Sequence, residues 1–300
     1  MIGIIGLGNM GSAIASKIHS ELDVIGYDID AAKCKKMNEN GVATGSSLEE
    51  VAAKSQIIIL SMPRFSISKS IVSTICPLLQ KNAVIIETST ILPNEVRELR
   101  EISLQHHIKL IDAAILGGVS HMQNKQADLL IGDSDDVLQT VSPVLKAMSK
   151  TIQFMGPAGA GMAAKIINNG VAHAVMTVIV ESAATAMKLG ISAENVYKLL
   201  SGETALLRPL THRFHERIQE GNYEGGMSTE NARKDSTLFL QLAQENGIPL
   251  FSIQAAHSVY EVAAQNGFGK EDYAAIAKLW EKWLNINFQK DREVSMNETV

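Results

Sequence analysis

The sequence predicts a doubly wound α/β domain with a parallel sheet, followed by an all-α domain. Short apolar runs alternate with helical patterns as far as residue 156, whereas the runs beyond Pro157 have helical spacing alone. Strands that are apolar on both faces and separated by helices are typical of a parallel sheet covered on both sides. The 300 residues exceed one ordinary domain, so we expect domains at 1–156 and 157–290 and a tail at 291–300.

The first domain alternates strands and helices in a regular order. Gly41 ends the second predicted helix and Pro93 lies in the first turn of the fourth, as is common at helix ends and starts. The predicted strands cover residues 2–5, 24–27, 56–61, 83–87, 108–112, 127–131 and 151–155. The predicted helices cover residues 9–19, 31–40, 66–79, 93–105 and 135–149.

The second domain has no predicted strand. Its first helix is long and ends at Gly190. The predicted helices cover residues 158–189, 193–200, 205–220, 228–246, 252–265 and 271–284. The residues from about 290 onward are polar, and we expect them to fray.

The composition excludes several classes of protein. Hydrophobic residues make up 46% and charged residues 20% of the chain, which is typical of a globular protein. The net charge of −5 argues against nucleic acid as a partner. We expect no apolar stretch of the about 18 residues that a bilayer requires, and therefore no membrane partner. Cys34 and Cys76 show neither metal-ligand spacing nor a disulfide framework, which predicts a cytoplasmic protein. The histidines form no metal-binding motif, so we expect no metal.

A glycine-rich segment directly follows the first strand and opens the first helix. Its sequence is Gly6-Leu7-Gly8-Asn9-Met10-Gly11, the G-x-G-x-x-G pattern. Gly6 permits the tight turn, Gly8 leaves room for a pyrophosphate, and Gly11 lets the helix pack close to the strand. The helix N-terminus then offers N–H groups to the phosphates. The segment predicts a dinucleotide-binding domain of the Rossmann type, the alternative being a glycine-rich turn without a ligand.

Asp28 ends the second strand at the position where an acid accepts hydrogen bonds from the ribose hydroxyls. Asp30 adds negative charge nearby, and no Arg follows. Because these charges repel a 2′-phosphate, the sequence favours NAD over NADP.

Polar or glycine-rich segments follow three further strands, at the sheet edge where ligands bind in such folds. These segments are Ser61-Met62-Pro63-Arg64, Glu87-Thr88-Ser89-Thr90 and Asp112 to Gly118. The backbone N–H groups of Gly117-Gly118 are candidates to bind a carboxylate. Each segment has the alternative interpretation of a simple loop.

The long helix carries three polar residues on one face. Lys165, Asn168 and Asn169 have i, i+3 and i+4 spacing in an otherwise apolar segment. Because burying such groups without partners is costly, they are candidates to line a polar cavity, where the pKa of Lys165 would be lowered. A Lys with its charged end in solvent is the alternative. Lys234-Asp235 fits surface charge, and His121 is a candidate for substrate contact.

In order and spacing, these segments and several later ones resemble the 3-hydroxyisobutyrate dehydrogenase family, also called the β-hydroxyacid dehydrogenases, from residue 1 to about 284. The segments that carry the resemblance are Gly6 to Gly11, Ser89-Thr90-Ile91-Leu92-Pro93, Asp112-Ala113 with Gly117-Gly118, Gly159-Ala160-Gly161 with Lys165 to Asn169, Glu181, Lys234-Asp235, and Gly267-Phe268-Gly269 with Asp272.

The resemblance implies reversible hydride transfer between a nicotinamide cofactor and a small 3-hydroxy carboxylic acid, with Lys165 exchanging the hydroxyl proton. On the substrate side it implies contacts from Gly117, Gly118 and Asn169, and Asn168, Ser89 and His121 are further candidates by position. On the cofactor side it implies Thr90 and Lys234, and Met62 and Pro63 at the end of their strand are further candidates beside the glycine-rich turn. Family members are commonly dimers or tetramers, which implies a homodimer or homotetramer.

The chain departs from the family pattern in the loop that would hold the substrate carboxylate. Ala114 replaces a proline and Leu116 replaces a serine, while Lys125-Gln126 stands where a Gly-Thr pair is usual. One hydrogen bond to the carboxylate, worth roughly 1.5–3 kcal/mol, is therefore missing or comes from Ser120, His121 or Lys125. The substrate is thus open among branched, hydroxylated or sulfonated C3–C4 acids.

Three alternatives remain open at this point. A 6-phosphogluconate dehydrogenase-like enzyme would have a His where Asn168 stands, and imine reductases lack the Lys at position 165. A non-catalytic dinucleotide-binding scaffold protein would also have lost that Lys.

Overall fold

A computed structural model describes residues 1–201 and 206–289. The described chain divides into two compact units, Met1–Gly170 and Val171–Val300.

The first unit is built on one eight-stranded sheet with the order β3-β2-β1-β4-β5-β6-β7-β8. Its strands are β1 Ile2–Ile5, β2 Val24–Tyr27, β3 Ala43–Thr44, β4 Ile57–Leu60, β5 Val84–Glu87, β6 Lys109–Leu116, β7 Asp128–Gly132 and β8 Thr151–Gly156. The order reverses between β1 and β4, which confirms the doubly wound fold.

The predicted all-parallel sheet is wrong at one pair of strands. β6 and β7 are antiparallel, and the other neighbouring pairs are parallel. The connection between them, residues 117–127, contains one five-residue helix, Val119–Gln123, whereas a parallel crossover usually contains a full helix and needs about a dozen residues or more. β6 also extends four residues beyond its predicted end, so that Gly117 follows it directly.

Seven helices cover the sheet of the first unit. They are α1 Asn9–His19, α2 Ala31–Glu39, α3 Leu48–Lys54, α4 Phe65–Ile75, α5 Pro93–Leu104, α6 Val119–Gln123 and α7 Leu138–Met148. The sequence pattern does not predict β3, α3 or α6. A signal for α3 was present, because the Ser47 Oγ accepts the Glu50 N–H at 3.2 Å and the Glu50 carboxylate accepts the Ser46 N–H at 2.7 Å, much like a capping box.

Each face of the sheet is covered by its own hydrophobic cluster. Ile86 of β5 packs in the cluster that contains Ile14 and Leu145. Its neighbour Ile85 packs on the opposite face with Leu99. Successive residues of a strand point to opposite faces, so these continuous apolar runs fill both cores, as predicted.

The chain beyond β8 is helical. The α-helices are α8 Ala160–Lys188, α9 Ala193–Leu200, α10 Thr229–Glu245, α11 Ser252–Ala263 and α12 Ala277–Leu284. Short π-helical segments at Pro209–Ile218 and Ala264–Phe268 and a 3₁₀ turn at Tyr273–Ile276 replace parts of the predicted α-helices. The described residues of this half form no strand, as predicted, whereas residue 205 and the predicted tail lie outside the described residues.

By length and composition, one helix among the described residues is apolar enough to cross a bilayer. This helix is α8, with a mean hydropathy of 1.4 over its most apolar 18 residues. The expectation that no stretch reaches this length is therefore wrong. The core helix of a soluble protein has the same properties, so the length does not by itself indicate a membrane. Few residues of that segment are nevertheless buried in the single chain, only 11% of them.

Candidate functional site

A cavity of about 680 Å³ opens at the carboxyl ends of β1, β2 and β4, where the strand order reverses. Ligands of doubly wound folds bind at this position. The predicted cofactor residues that line it are Gly6, Gly8, Asn9, Met10, Asp28, Met62 and Pro63.

The three glycines of the turn have the geometry that their predicted roles require. Gly6 has a φ of +94°, which permits the tight turn. A Cβ at Gly8 would meet nothing within 4 Å, so its backbone is open to a phosphate. A Cβ at Gly11 would lie 1.8 Å from the Gly6 carbonyl oxygen, so only glycine allows α1 to pack this close to β1. Leu7 is buried, and its contribution is its backbone N–H.

Asp28 is bound on both carboxylate oxygens at the end of β2. Its Oδ2 accepts the Leu7 N–H at 2.8 Å, and its Oδ1 accepts the Asp30 N–H at 2.9 Å. The Lys33 Nζ lies 3.2 Å from Oδ2, and Lys33 also lines the cavity. Lys33 is not predicted from the sequence, because a Lys five residues after the acid is not part of the dinucleotide-binding motif. Its charge offsets the repulsion that Asp28 and Asp30 exert on a 2′-phosphate.

The ends of β4 and β5 are joined by hydrogen bonds. The Ser89 Oγ accepts the Met62 N–H at 2.7 Å, and the Glu87 Oε1 accepts the Ser89 N–H at 2.7 Å. Ser89 is 5% exposed, so its hydroxyl fixes the Met62 segment from inside the protein. Thr90 is exposed at the same edge of the sheet.

Glu87 lies beneath this edge and is fully buried. Burial raises the pKa of Glu87 to about 7, and hydrogen bonding from Ser89 limits the rise. Its Oε2 and the Ser68 Oγ are both buried without a hydrogen-bond partner among the described residues. From the sequence, Glu87 is predicted only as the end of a strand.

The glycine pair after β6 is partly engaged by His121. Gly117 has a φ of +123°, and the Gly118 N–H donates to the His121 Nδ1 at 3.3 Å. His121 therefore lies against the backbone that was predicted to bind a carboxylate. Leu116, which stands where the family has a serine, is half-buried and offers no side-chain donor.

Lys165 lies on the second turn of α8, whose N-terminus is held by a buried carboxylate. The Asp112 Oδ1 accepts the Gly159 N–H at 2.7 Å, and its Oδ2 accepts the Met162 N–H at 2.8 Å. A Cβ at Gly161 would lie 2.3 Å from the Leu130 carbonyl oxygen, so the helix start packs directly on the sheet. Burial raises the pKa of Asp112, although these N–H donors oppose the rise.

Lys165 is half-buried, and its burial lowers the pKa of its amine. No described carboxylate lies within 4.0 Å of its Nζ. Asn169 is half-buried on the same face of the helix, whereas Asn168 is exposed. The arrangement supplies a partly desolvated amine without a fixed counter-ion.

The remaining predicted residues belong to the second unit. Lys234 is 64% exposed and lies 3.5 Å from Asp235. The Glu181 carboxylate accepts the N–H groups of Phe251 and Ser252 at 2.8 and 2.9 Å and thereby caps α11. Asp272 is buried between Arg213 and Arg217, at 3.2 and 3.4 Å. Glu181 and Asp272 thus have structural partners, and the described residues contain no cluster fit to hold a metal.

Two family models match the chain. The NAD binding domain of 6-phosphogluconate dehydrogenase matches residues 1–156, and the NAD-binding domain of NADP-dependent 3-hydroxyisobutyrate dehydrogenase matches residues 159–280.

Curated relatives match over nearly the whole chain. The 2-(hydroxymethyl)glutarate dehydrogenase of Eubacterium barkeri is 26% identical over 290 residues, which cover 95% of this chain and 96% of that protein. The human mitochondrial 3-hydroxyisobutyrate dehydrogenase is 27% identical over 286 residues, which cover 92% of this chain and 85% of that protein.

Solved structures show the same fold. The Mycobacterium tuberculosis 3-hydroxyisobutyrate dehydrogenase with L-serine is 25% identical, with a TM-score of 0.65 and coverage of 93% of this chain and 98% of that one. An imine reductase from a Pseudomonas species reaches a TM-score of 0.83 at 20% identity, over 92% of this chain and 98% of that one. The second likeness concerns the fold alone.

Proposed function

The chain belongs to the 3-hydroxyisobutyrate dehydrogenase family, and from that premise we propose that it oxidises a small 3-hydroxy acid, or reduces the matching semialdehyde or keto acid, through Lys165. The chain is an oxidoreductase with NAD(P)-binding domains, and its curated relatives are dehydrogenases that act on a hydroxyl group. The observation that carries the proposal is the half-buried amine of Lys165, which lacks a fixed carboxylate partner and has a lowered pKa.

The first unit fits a dinucleotide. The open backbone at Gly8 and the N-terminus of α1 are suited to a pyrophosphate, and Asp28 to a ribose. When bound, the nicotinamide supplies the acceptor or donor of the hydride. Met62 and Pro63 line the same cavity, and the exposed Thr90 and Lys234 remain candidates for further contacts with the cofactor.

Lys165 would handle the proton. In the oxidation direction its neutral amine accepts the hydroxyl proton while the C3–H bond gives up its hydride, and in reduction the ammonium form returns the proton. Because the pKa of Lys165 is lowered by burial, more of the neutral amine is present near neutral pH than for an exposed Lys. The capped helix start fixes the amine relative to the sheet.

The substrate carboxylate is proposed to bind where His121 now meets Gly117 and Gly118. An incoming carboxylate would replace the His121 Nδ1 as acceptor for the Gly118 N–H, while a protonated His121 ring would donate to that carboxylate. His121 would thereby supply the bond lost with the family serine at Leu116. Asn169 and Asn168, on the face of Lys165, are candidates to orient the acid, and Ser89 contributes by fixing the Met62 segment.

We propose that the cofactor is NAD rather than NADP. Asp28 accepts two backbone N–H groups and still has lone pairs for ribose hydroxyls. Lys33 makes this preference weaker than the sequence alone suggested, because its charge lies beside the position of a 2′-phosphate.

The exposed apolar surface of the second unit supports a homodimer. Met176, Val180 and Met187 form one stripe on α8, and each is more than half exposed. Exposed apolar patches of this kind mark contact surfaces. Because α8 carries charged residues near its ends, a second protein chain is a simpler partner for the stripe than a lipid bilayer. Size-exclusion chromatography with light scattering is the test, and a monomer at micromolar concentration would contradict the assignment.

The function is tested by an absorbance screen for NADH formation or consumption. The wild type and Lys165→Met are assayed with C3–C6 hydroxy acids and semialdehydes, and we expect turnover of at least one 3-hydroxy acid pair by the wild type alone. The same screen includes amines and imines, and turnover of these compounds in place of the acids would favour the imine reductase alternative. Binding of NADH without turnover of any compound would favour the scaffold alternative.

A further inference from the structure

Glu87 is a buried acid that the proposed reaction does not use. It ends β5, in the half of the sheet formed by β4, β5 and β6. In a doubly wound dinucleotide site each half of the sheet carries one mononucleotide. Because Asp28 marks the adenosine ribose at the end of β2, Glu87 lies under the nicotinamide half.

Two hydrogen bonds connect Glu87 to the wall of the cavity. Its Oε1 accepts the Ser89 N–H, and the Ser89 Oγ accepts the N–H of Met62, each at 2.7 Å. Met62 lines the cavity. The position of this wall segment therefore depends on the Glu87 carboxyl group, which is itself 0% exposed.

The other oxygen of Glu87 faces a hydroxyl that can serve either protonation state. The Glu87 Oε2 and the Ser68 Oγ are both buried and unpartnered among the described residues. A neutral Glu87 can donate its proton to the Ser68 Oγ, whereas an ionised Glu87 can accept the Ser68 proton, because a hydroxyl rotates freely between these roles. The surroundings thus tolerate both forms.

The charged groups around Glu87 are otherwise occupied. Asp112 is its register partner on β6 and lies on the same face of the sheet, but both Asp112 oxygens accept main-chain N–H groups. β4 carries no charge, and α4 presents Ser68. The charged residues of α4 and α5 that have partners elsewhere are Lys69 with Glu98, Arg100 with Asp135, and Glu95 with the Leu92 N–H. Arg97 is exposed, Arg64 and Glu101 are exposed beside these helices, and Lys165 is half-buried on α8.

We propose that Glu87 is a proton-linked positioning residue of the dinucleotide site, neutral beneath a reduced nicotinamide and ionised beneath an oxidised one. The oxidised ring carries a positive charge that favours the carboxylate, and the reduced ring is neutral. On binding of the oxidised form, the part of the Glu87 population that is still neutral loses its proton to solvent. The carboxylate then binds the Ser89 N–H more strongly and so holds Met62 in place. Burial raises the pKa of Glu87 to about 7, so both forms are accessible at physiological pH.

Isothermal titration calorimetry on the full chain measures this proton directly. NAD⁺ and NADH are titrated at pH 7 in phosphate and in Tris, since the difference in observed heat between buffers gives the protons released. For the wild type we expect NAD⁺ to release about 0.3–0.5 protons more than NADH. We also expect the Kd for NAD⁺ to fall about three- to tenfold between pH 6 and pH 8.

Glu87→Gln keeps the acceptor for Ser89 but cannot ionise, so the difference between NAD⁺ and NADH should vanish. Glu98→Gln, the same change at the surface of α5, should behave as the wild type. An unchanged difference in Glu87→Gln would overturn the proposal and point to Asp112 or Lys165 as the carrier. Should Glu87→Gln not fold, Ser68→Ala decides. It removes the hydroxyl that can donate to an ionised Glu87, so the proton release should move to higher pH, and an unmoved midpoint overturns the proposal.

The inference rests on the proposed function only in requiring that a dinucleotide binds. Failure of the substrate screen would leave the calorimetric result standing. Failure of the wild type to bind either dinucleotide would overturn the role of Glu87.

Discussion

The two units bury their apolar residues to very different extents. The first unit has a hydrophobic cluster on each face of its sheet, and its large side chains such as Ile14, Ile86 and Leu99 are fully buried. The described residues of the second unit form one small cluster, around Ile218 and Tyr223. Many of its large apolar side chains are instead exposed.

The difference indicates that the two units have different roles. A unit with complete cores is stable by itself and holds ligand groups in fixed positions, whereas a unit with an uncovered apolar surface needs a partner. We therefore expect variants in the first unit to change catalysis and cofactor binding without changing oligomerisation, and variants in the second unit to do the reverse. Each of the following measurements can contradict that expectation.

The largest effect is expected from Lys165→Met, at the end of the first unit. The variant keeps the length of the side chain and removes the amine, so turnover should fall by about 10²–10⁴. Dinucleotide affinity, measured by calorimetry, and the molecular mass, measured by light scattering, should stay unchanged. Wild-type oxidation should also rise with pH as the amine of Lys165 loses its proton.

Lys188→Met is the matched control, because Lys188 is exposed at the far end of the same helix. It should retain wild-type turnover. Equal losses in both variants would mean that charge on α8, rather than proton transfer at Lys165, supports the reaction.

The second effect concerns assembly. Val180→Glu places a charge in the middle of the exposed stripe on α8, and burying an unpaired charge at an interface is costly. We expect the dimer dissociation constant to rise by about 100-fold. Leu104→Glu, at a partly exposed apolar position on α5 of the first unit, should leave it unchanged. A wild-type mass for Val180→Glu would remove α8 from the proposed interface.

The third effect is on stability and belongs to the first unit. Since the pKa of Glu87 is raised from 4.5 to about 7, the folded state binds this proton more tightly than the unfolded chain. The free energy of unfolding should therefore fall as the pH rises from about 4.5 to about 7, by up to about 3 kcal/mol. Glu87→Gln lacks this loss, so its stability relative to the wild type should improve between pH 5 and pH 8.

Urea unfolding followed by two probes tests the separation as well. Both tryptophans, Trp280 and Trp283, lie in α12 of the second unit, so their fluorescence reports that unit, whereas circular dichroism reports the whole chain. The pH effect of Glu87→Gln should appear in the circular dichroism and leave the fluorescence midpoint in place. Equal shifts in both signals would show that the units unfold as one.

The sequence predicted the parts of the molecule in which local pattern and tertiary structure agree. The strand–turn–helix at Gly6 to Gly11 was found because the glycines, the apolar run and the helical spacing give the same answer. β3 has two residues, too few for a periodic signal. The antiparallel pairing of β6 with β7 depends on the length of one connection, and apolar runs alone do not reveal strand direction.

The candidate site was predictable only for residues in known motifs. Asp28 and Lys165 could be named from spacing and resemblance. Glu87 and Lys33 could not, because their roles arise from burial and from a distance across the site. His121 was suggested by its loop, but its hydrogen bond with Gly118 became visible only in the structure.

The smallest effect is on the preference for NAD(H) over NADP(H). Substitutions of Lys33 and Asp28, which lie in contact, are expected to change this preference in opposite directions. Lys33→Met removes the cation 3.2 Å from Asp28, so the uncompensated carboxylate should weaken NADP(H) binding about three- to tenfold and leave NAD(H) nearly unchanged. Asp28→Ala removes the ribose acceptor and frees Lys33 for a 2′-phosphate, so NAD(H) should weaken more than NADP(H). Calorimetry with all four dinucleotides measures the ratio of the Kd for NADP(H) to the Kd for NAD(H) in each variant.

The same measurements in the Val180→Glu background should give the same ratios, because Asp28 and Lys33 both belong to the first unit. Ratios that change when the dimer dissociates would show that assembly reaches the adenosine end of the site and that the division between the two units is incomplete.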